Sequence, residues 1–220
     1  KHVWSIKNRT GPHSKNSSVP LGFIVRDVLG FASTRKETKM VLNSQNAKVN
    51  GTAITDMNFS VGLFDIVEFP EEKKMFRMIL DKKGRAKIVE MEKGAVLEKV
   101  SKILHKRVAK NGLIELTTSE GFVLKQGKNA VGVSDSVKMS LPDKKITGHF
   151  SLSAGKMALI IGGTHAGEVV KIKEIIPGSM HKPKLVKTEG KHGEISTLEK
   201  YVCVVGDNKT CSQMNLEVFE

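Results

Sequence analysis

PLGFIVRDVLGFASTRKETKMVLNSQNAKVNGTAITDMNFSVGLFDIVEF, residues 20–69, spells helix, turn, helix, tight turn and strand in one short run. Pro20 opens the first helix. Leu21, Ile24, Val25, Val28 and Leu29 recur at i, i+3, i+4, i+7 and i+8, which is a single apolar stripe. Arg26 and Asp27 face away from that stripe, and Gly30 suits the left-handed residue that closes a helix. Thr34-Arg35-Lys36-Glu37 is a capping box, with Thr34 as N-cap and Glu37 reaching back to it. Lys48-Val49-Asn50-Gly51-Thr52 carries the Asn-Gly signal of a tight turn. Val61 to Phe69 then reads as a turn and a strand.

Arg35, Lys36 and Lys39 fall in the first turn and a half of the second helix. Cations there oppose the helix dipole, so folding alone does not account for them. Free backbone N–H groups at a helix start attract phosphate. Together these features point to RNA, against the plainer reading of a solvated face.

Outward toward the C-terminus the pattern becomes β-rich. Phe76–Leu80 and Ala86–Met91 flank Asp81-Lys82-Lys83-Gly84, a hairpin signal. Val100–Val108, Leu113–Leu116, Phe122–Leu124 and Val137–Leu141 are further strands, with turns at Asn111-Gly112 and Ser119-Glu120-Gly121. Ala95–Val100 also admits a short helix. Met157–Ile161 and Val169–Ile172 enclose the glycine-rich turn Gly162-Gly163-Thr164-His165-Ala166-Gly167, and Tyr201–Val205 is a late strand. Pro177–His192, polar and rich in lysine, reads as a long exposed loop or irregular hairpin. Beyond Gly206 lies a polar tail that ends acidic. Short strands with frequent turns predict small barrels or bent sheets.

Outward toward the N-terminus, residues 1–20 show neither helical nor strand period and read as an extended basic arm. Such an arm is expected to order on its RNA. Trp4 is expected to anchor it on the body, with stacking on a base as the other role. The net charge is +13, and residues 1–50 contribute +7 of it, from nine Lys/Arg against Asp27 and Glu37. That excess selects polyanionic partners, nucleic acid before membrane. No apolar run approaches the roughly 20 residues of a membrane span, and no signal-type segment starts the chain. Cys203 and Cys211 form no metal or redox spacing and fit a reducing compartment.

Several chemistries find no support. Gly162–Gly167 resembles the start of a P-loop, but Glu168-Val169 stand where Lys and Ser/Thr are required. None of the seven histidines pairs with another His or with a Cys at zinc spacing. No Gly-x-Ser-x-Gly elbow and no metal-type carboxylate cluster occurs. The expectation is no catalysis, no metal and no cofactor.

The ordered series Gly11-Pro12-His13, Pro20-Leu21 to Gly30, Lys48-Val49-Asn50-Gly51, Val61 to Val67, Leu80-Asp81-Lys82-Lys83-Gly84-Arg85 and Gly155 to Ile175 resembles the S-four-e family of small-subunit ribosomal proteins. The resemblance implies an α+β, mostly β chain. Its parts are a basic arm (1–20), an α-rich S-four-like RNA-binding module (21–70), a central β domain (71–150), an SH3-like KOW barrel (151–205) and a C-terminal tail (206–220). It implies RNA contacts at Arg35, Lys36 and Lys39. The wider candidate set adds Lys7, Arg9, His13, Lys15, Arg26, Lys48 and Asn50, and Thr164, His165 and Lys171 around the glycine turn. The KOW-like segment departs from the family where Val170 replaces a usual glycine. Family members also begin with a longer basic stretch than Lys1–Trp4.

The function so implied is a structural constituent of the small subunit, cytoplasmic and ribosome-bound. It would be a monomer there, holding folded ribosomal RNA beside neighbouring ribosomal proteins, with no membrane role. Aromatic content of only 5% disfavours a stacking platform for single strands. An RNA-modification or RNA-chaperone protein built on the same modules is the alternative; it would need a polar pocket near Asp65 or Asp81. A protein-interaction scaffold using the KOW-like barrel is the third reading.

Overall fold

The computed structural model describes residues 5–44, 47–92, 97–109, 112–126, 131–190, 193–214 and 216. Among these the strands form three five-stranded sheets and one two-stranded ladder, with few helices. No helix among them is long and apolar enough to cross a membrane. Trp4, Asn111 and His192 lie outside the described residues. Two compact units interleave along the chain. The first holds the described residues up to Ile79 with 86–99 and 140–144; the second holds 80–85, 100–139 and those from Lys145 onward.

In the first unit the sheet runs in the order Thr52–Ala53, Lys48–Val49, Ile66–Phe69, Lys74–Leu80, Ala86–Glu90. Asn50 and Gly51 both take positive φ, 52° and 79°, as the two-residue turn between the first two of these strands requires. Two helical segments cover the core. Leu21, Ile24 and Val25 are fully buried against Leu42, Val49, Val61 and Val67, and burying side chains of this size contributes roughly 1.5–3 kcal/mol each. Phe31 meets Phe69 edge-on at 4.9 Å.

The first helix differs from its expected period. After Leu21–Phe23 the turn widens to a π-helix over Ile24–Val28, with Leu29 N donating to Ile24 O at 2.9 Å. A wider turn advances fewer degrees per residue, so Val28 swings off the apolar stripe and is 48% exposed. The second helix, Arg35–Asn43, starts on the expected capping box, with both reciprocal hydrogen bonds formed.

The basic arm is not an extended segment awaiting RNA. Ile6 is buried in the core, and Gly22 leaves room for it: a Cβ there would stand 2.9 Å from Ile6 Cδ1. Arg9 N donates to Asn58 O, and Asn8 Nδ2 to Ser18 O. His13 Nε2 donates to Asp65 Oδ2 at 2.8 Å. An apolar anchor and a buried polar one hold residues 5–18 on the unit.

Asp65 is a junction. Its sealed carboxylate also accepts from Asn50 Nδ2 at 2.6 Å, from Gly62 N at 2.6 Å and from the Lys99 ammonium, which is itself fully buried. Burial alone would raise the Asp65 pKa. The Lys99 charge, the His13 contact and the Asn50 amide outweigh it and hold the group well below the usual carboxylate range.

The second unit contains two five-stranded sheets. One runs Val123–Gln126, Ile114–Thr118, Glu98–Val108, Ser136–Ser140, Ile146–Phe150; the other runs Gly193–Leu198, Leu185–Gly190, Val169–Ile176, Met157–Ile160, Val202–Gly206. Bulges at Ile103/His105, Met157/Ala158 and Ile172/Glu174 bend the strands around their cores. The Lys102 ammonium, driven below its ordinary pKa by burial, donates to the Glu199 and Val202 carbonyls at 2.5 and 2.7 Å and fastens the two sheets together.

Three sequence expectations need correction here. Glu98–Val100 is strand rather than helix; Ala95 and Val96 fall outside the described residues. Pro177–His192, expected as a long exposed loop or irregular hairpin, is exposed over 177–183 but strand over Leu185–Gly190, which pairs on both sides and buries Val186 and Thr188 on one face, a period that Lys187 and Glu189 disguise. The polar tail forms the helix Asn208–Gln213, because Cys211, Met214 and Leu216 supply a buried face. Cys203 and Cys211 are both buried and free.

The glycine-rich turn closes against the hairpin turn at 81–84. Gly167 has φ +92°, and a Cβ there would stand 1.9 Å from the Asp81 carbonyl oxygen. Gly167→Ala therefore adds an overpacking cost of about 1–3 kcal/mol to the roughly 1–2 kcal/mol of left-handed strain. Gly112→Ala, at φ +70° with nothing within 4 Å, carries only the strain. In urea melts followed by circular dichroism, the Gly167 variant unfolds at distinctly lower denaturant; equal midpoints would contradict the close approach.

Asp65→Asn leaves the Lys99 ammonium buried without its carboxylate and costs about 3–5 kcal/mol at neutral pH. Because the folded-state pKa lies below the ordinary 3.8, the Asp65 contribution is complete at neutral pH and fades as pH falls below about 4. The stability gap between wild type and Asp65→Asn, measured by urea unfolding, accordingly narrows in acid. A gap independent of pH would exclude the ion pair as its source.

Candidate nucleic-acid interface

The second helix sets the surface. Ser33 N and Thr34 N both donate to Glu37 Oε2, at 2.8 and 3.2 Å, while Glu37 N donates to Thr34 Oγ1 at 3.2 Å. These hydrogen bonds lower the Glu37 pKa, the Ser33 amide contributing most. They also turn the only carboxylate of this helix back into its own cap. Arg35, Lys36 and Lys39 project from the first turn and a half, exposed and without a carboxylate partner among the described residues.

Those three cations line a groove of about 580 Å³ whose other wall is Thr55, Asp56, Met57 and Asn58. Asp56 is drawn toward the Asn58 amide, 2.9 Å away, and toward Arg9 at 3.7 Å. Arg9 thus joins the rim. A groove with guanidinium and ammonium groups on one side, and on the other a hydroxyl, an amide and a single carboxylate that Arg9 and the Asn58 amide face, keeps a cationic excess that suits an anionic ridge such as a phosphate backbone. Sequence reasoning overlooked the wall at Thr55–Asn58, whose signal was the short polar residues Thr55, Asp56 and Asn58 set around a buried Met57 between strands.

The remaining candidates divide. Lys7 and Lys15 are exposed on the N-terminal segment. Lys48 lies opposite Glu68 in its ladder. Burial raises the Glu68 pKa, and Lys48 partly opposes that. Arg26 is engaged by Asp27, with Nε–Oδ1 at 3.1 Å and Nη2–Oδ2 at 2.8 Å, both side chains only about a tenth exposed. So Arg26 does not simply face solvent; its guanidinium is matched by its neighbour. His13 and Asn50 serve the Asp65 junction. In the second unit Thr164 and Lys171 are exposed, and His165 Nδ1 contacts Glu168 Oε1 at 3.2 Å.

Asp65, where sequence reasoning would have looked for acid–base chemistry, is 1% exposed at its side chain and accepts from four donors. Sealed and saturated, it has no face for a substrate.

Comparison with known proteins places the chain in a family. The model for "Ribosomal family S4e" matches residues 72–146. The small ribosomal subunit protein eS4 of Archaeoglobus fulgidus is 36% identical over 203 residues, covering 92% of this chain and 85% of that protein. Its counterpart in Methanosphaera stadtmanae is 34% identical over 214 residues, covering 95% and 86%. Among solved structures, the 30S ribosomal protein S4e of Thermoplasma acidophilum superposes with a TM-score of 0.73 at 25% identity, covering 88% of this chain and 97% of that one. Likeness of this extent in both sequence and fold is shared along nearly the whole chain, which belongs to the S4e family of ribosomal proteins.

Proposed function

We propose that this chain is a structural, non-catalytic constituent of the small ribosomal subunit that holds folded ribosomal RNA, beside neighbouring ribosomal proteins, on the cytoplasmic ribosome. Membership of the S4e family supports the ribosomal role. The observation that carries RNA binding is the cationic groove. There Arg35, Lys36 and Lys39 have no carboxylate partner among the described residues, because Glu37 is withdrawn into the helix cap.

In this reading residues 21–70 act as an S-four-like module, 71–150 as the central β domain and 151–205 as a KOW-like barrel. The helix–helix–tight turn–strand order of the first unit supports the first assignment. The five-stranded antiparallel sheet curling through bulges around Ala158, Ile160, Val170 and Val204 supports the last. Arg9, Arg35, Lys36 and Lys39 grip phosphates, with Lys7, Lys15 and Lys48 as outlying contacts and Thr164, His165 and Lys171 as those of the second unit. His13 and Asn50 act indirectly, by holding the scaffold at Asp65, and Arg26 is matched by its neighbour Asp27. Folded RNA presents phosphate ridges and shallow minor grooves read by shape, and each phosphate neutralised releases counterions.

Arg35→Ala/Lys36→Ala/Lys39→Ala should weaken binding to small-subunit ribosomal RNA. It should also flatten the dependence of log affinity on log salt by about 0.7–0.9 for each phosphate no longer neutralised. Fluorescence anisotropy titrations across a salt series measure both. Affinity and slope equal to wild type would remove the groove from the interface.

A further inference from the structure

The glycine turn, where the family resemblance places a contact, is partly occupied by the chain itself. Gly167 abuts the Asp81 carbonyl, and a Cβ on Gly84 would stand 2.7 Å from Ala166 Cβ. Between the strands Val169–Ile176 and Leu185–Gly190, by contrast, every residue from Pro177 to Pro183 is exposed.

That connection has a defined shape. Ser179 N donates to Lys182 O at 2.8 Å and Lys182 N to Ser179 O at 3.2 Å, closing a two-residue turn at Met180-His181. Gly178 lies so near the Lys182 carbonyl and the Lys184 amide that a Cβ would meet both at 2.9 Å. Pro177 and Pro183 flank the turn and stiffen it. At its tip Met180 is 96% exposed.

Single exposed apolar residues are ordinary. This one stands on a hydrogen-bonded turn whose own segment of sequence carries one sign of charge. From Ile175 to Thr188 there is no Asp or Glu, while His181, Lys182, Lys184 and Lys187 are present. Lys184 and Lys187 are held at the base by Glu199 and Glu174, at 2.7 and 2.8 Å. Lys182 remains at the tip beside the methionine. A preordered element carrying an apolar knob and a cation loses little freedom on docking. Its charge complements a polyanion, and apolar side chains of this kind wedge against base and sugar faces in nucleic-acid grooves.

We propose that the Met180–Lys182 turn is a further RNA-contacting element, with Met180 packing on a base or sugar face of folded ribosomal RNA and Lys182 on an adjoining phosphate. The inference rests on the ribosomal RNA reading above and adds a contact that the groove does not supply.

The test titrates the full chain with archaeal small-subunit ribosomal RNA transcribed in vitro, across a salt series. Met180→Ser should weaken affinity about tenfold and leave the salt slope unchanged, whereas Met180→Leu should restore binding. Lys182→Gln should make the slope shallower by about 0.7–0.9. Unchanged melting curves show that these surface variants stay folded. If both turn variants bind as wild type while the Arg35/Lys36/Lys39 triple variant is weakened, the turn is not an RNA contact and the broader function stands. Loss of a ribosomal protein's binding in the Met180→Ser chain, with RNA affinity intact, would overturn the inference in favour of a protein partner. Failure of the wild type to prefer this RNA over an unrelated transcript would instead remove the ribosomal RNA reading itself.

Discussion

A carboxylate enclosed in a protein interior loses the hydration that stabilises its charge, at a cost of several kcal/mol unless fixed charges and donors take the water's place. In the first unit that replacement is complete at Asp65. Its partners come from four separate places in the sequence: His13 in the N-terminal segment, Asn50 in the tight turn, Gly62 before the strand, and Lys99 at the start of a long strand. One buried charge therefore fastens the N-terminal segment, the turn and the sheet of the unit together. Asn50 Oδ1 also accepts from Ile66 N at 3.0 Å, so the same amide holds the strand beside the carboxylate.

Three acidic groups of this unit share a pattern. Asp65 is turned inward, Asp27 is matched to Arg26, and Glu37 closes its own helix cap. With Glu37 held in that cap, Arg35, Lys36 and Lys39 in the first turn and a half of the second helix are left without a carboxylate partner among the described residues. The surface charge is thus a consequence of how the acids are disposed as much as of the number of lysines. Placing cations where the helix dipole is positive carries a small stability cost, and the capping box together with the buried Thr38 and Leu42 offsets it.

Much of this organisation was legible in the residues. The capping box at Thr34–Glu37, the Asn50-Gly51 turn and the hairpin around Asp81–Gly84 are local, and local hydrogen bonding and φ preferences decide them. The errors arose where long-range packing overrides the local signal. The π-turn displaced Val28 from a regular stripe. Ile6 and His13 fixed a segment that composition alone describes as a free basic arm. Leu185–Gly190 became a strand because neighbouring strands pair with it on both sides, although three of its six residues are polar. The Asp65 junction could not be foreseen in full from a single sequence, since its donors are scattered over residues 13 to 99. A carboxylate set within Leu63-Phe64-Asp65-Ile66-Val67 was nonetheless a sign of burial with partners.

Of the candidate RNA residues, Arg35, Lys36 and Lys39 at the start of the second helix line the groove, whereas His13 and Asn50 bind the buried Asp65. The central claim is that the cationic helix start of the first unit is where folded RNA is held. Ultraviolet crosslinking of assembled small subunits, with linked peptides and nucleotides mapped by mass spectrometry, tests it most directly. The account requires ribosomal RNA nucleotides attached within Arg35–Lys39. Nucleotide attachment confined to other segments, with this helix start joined only to protein, would contradict it.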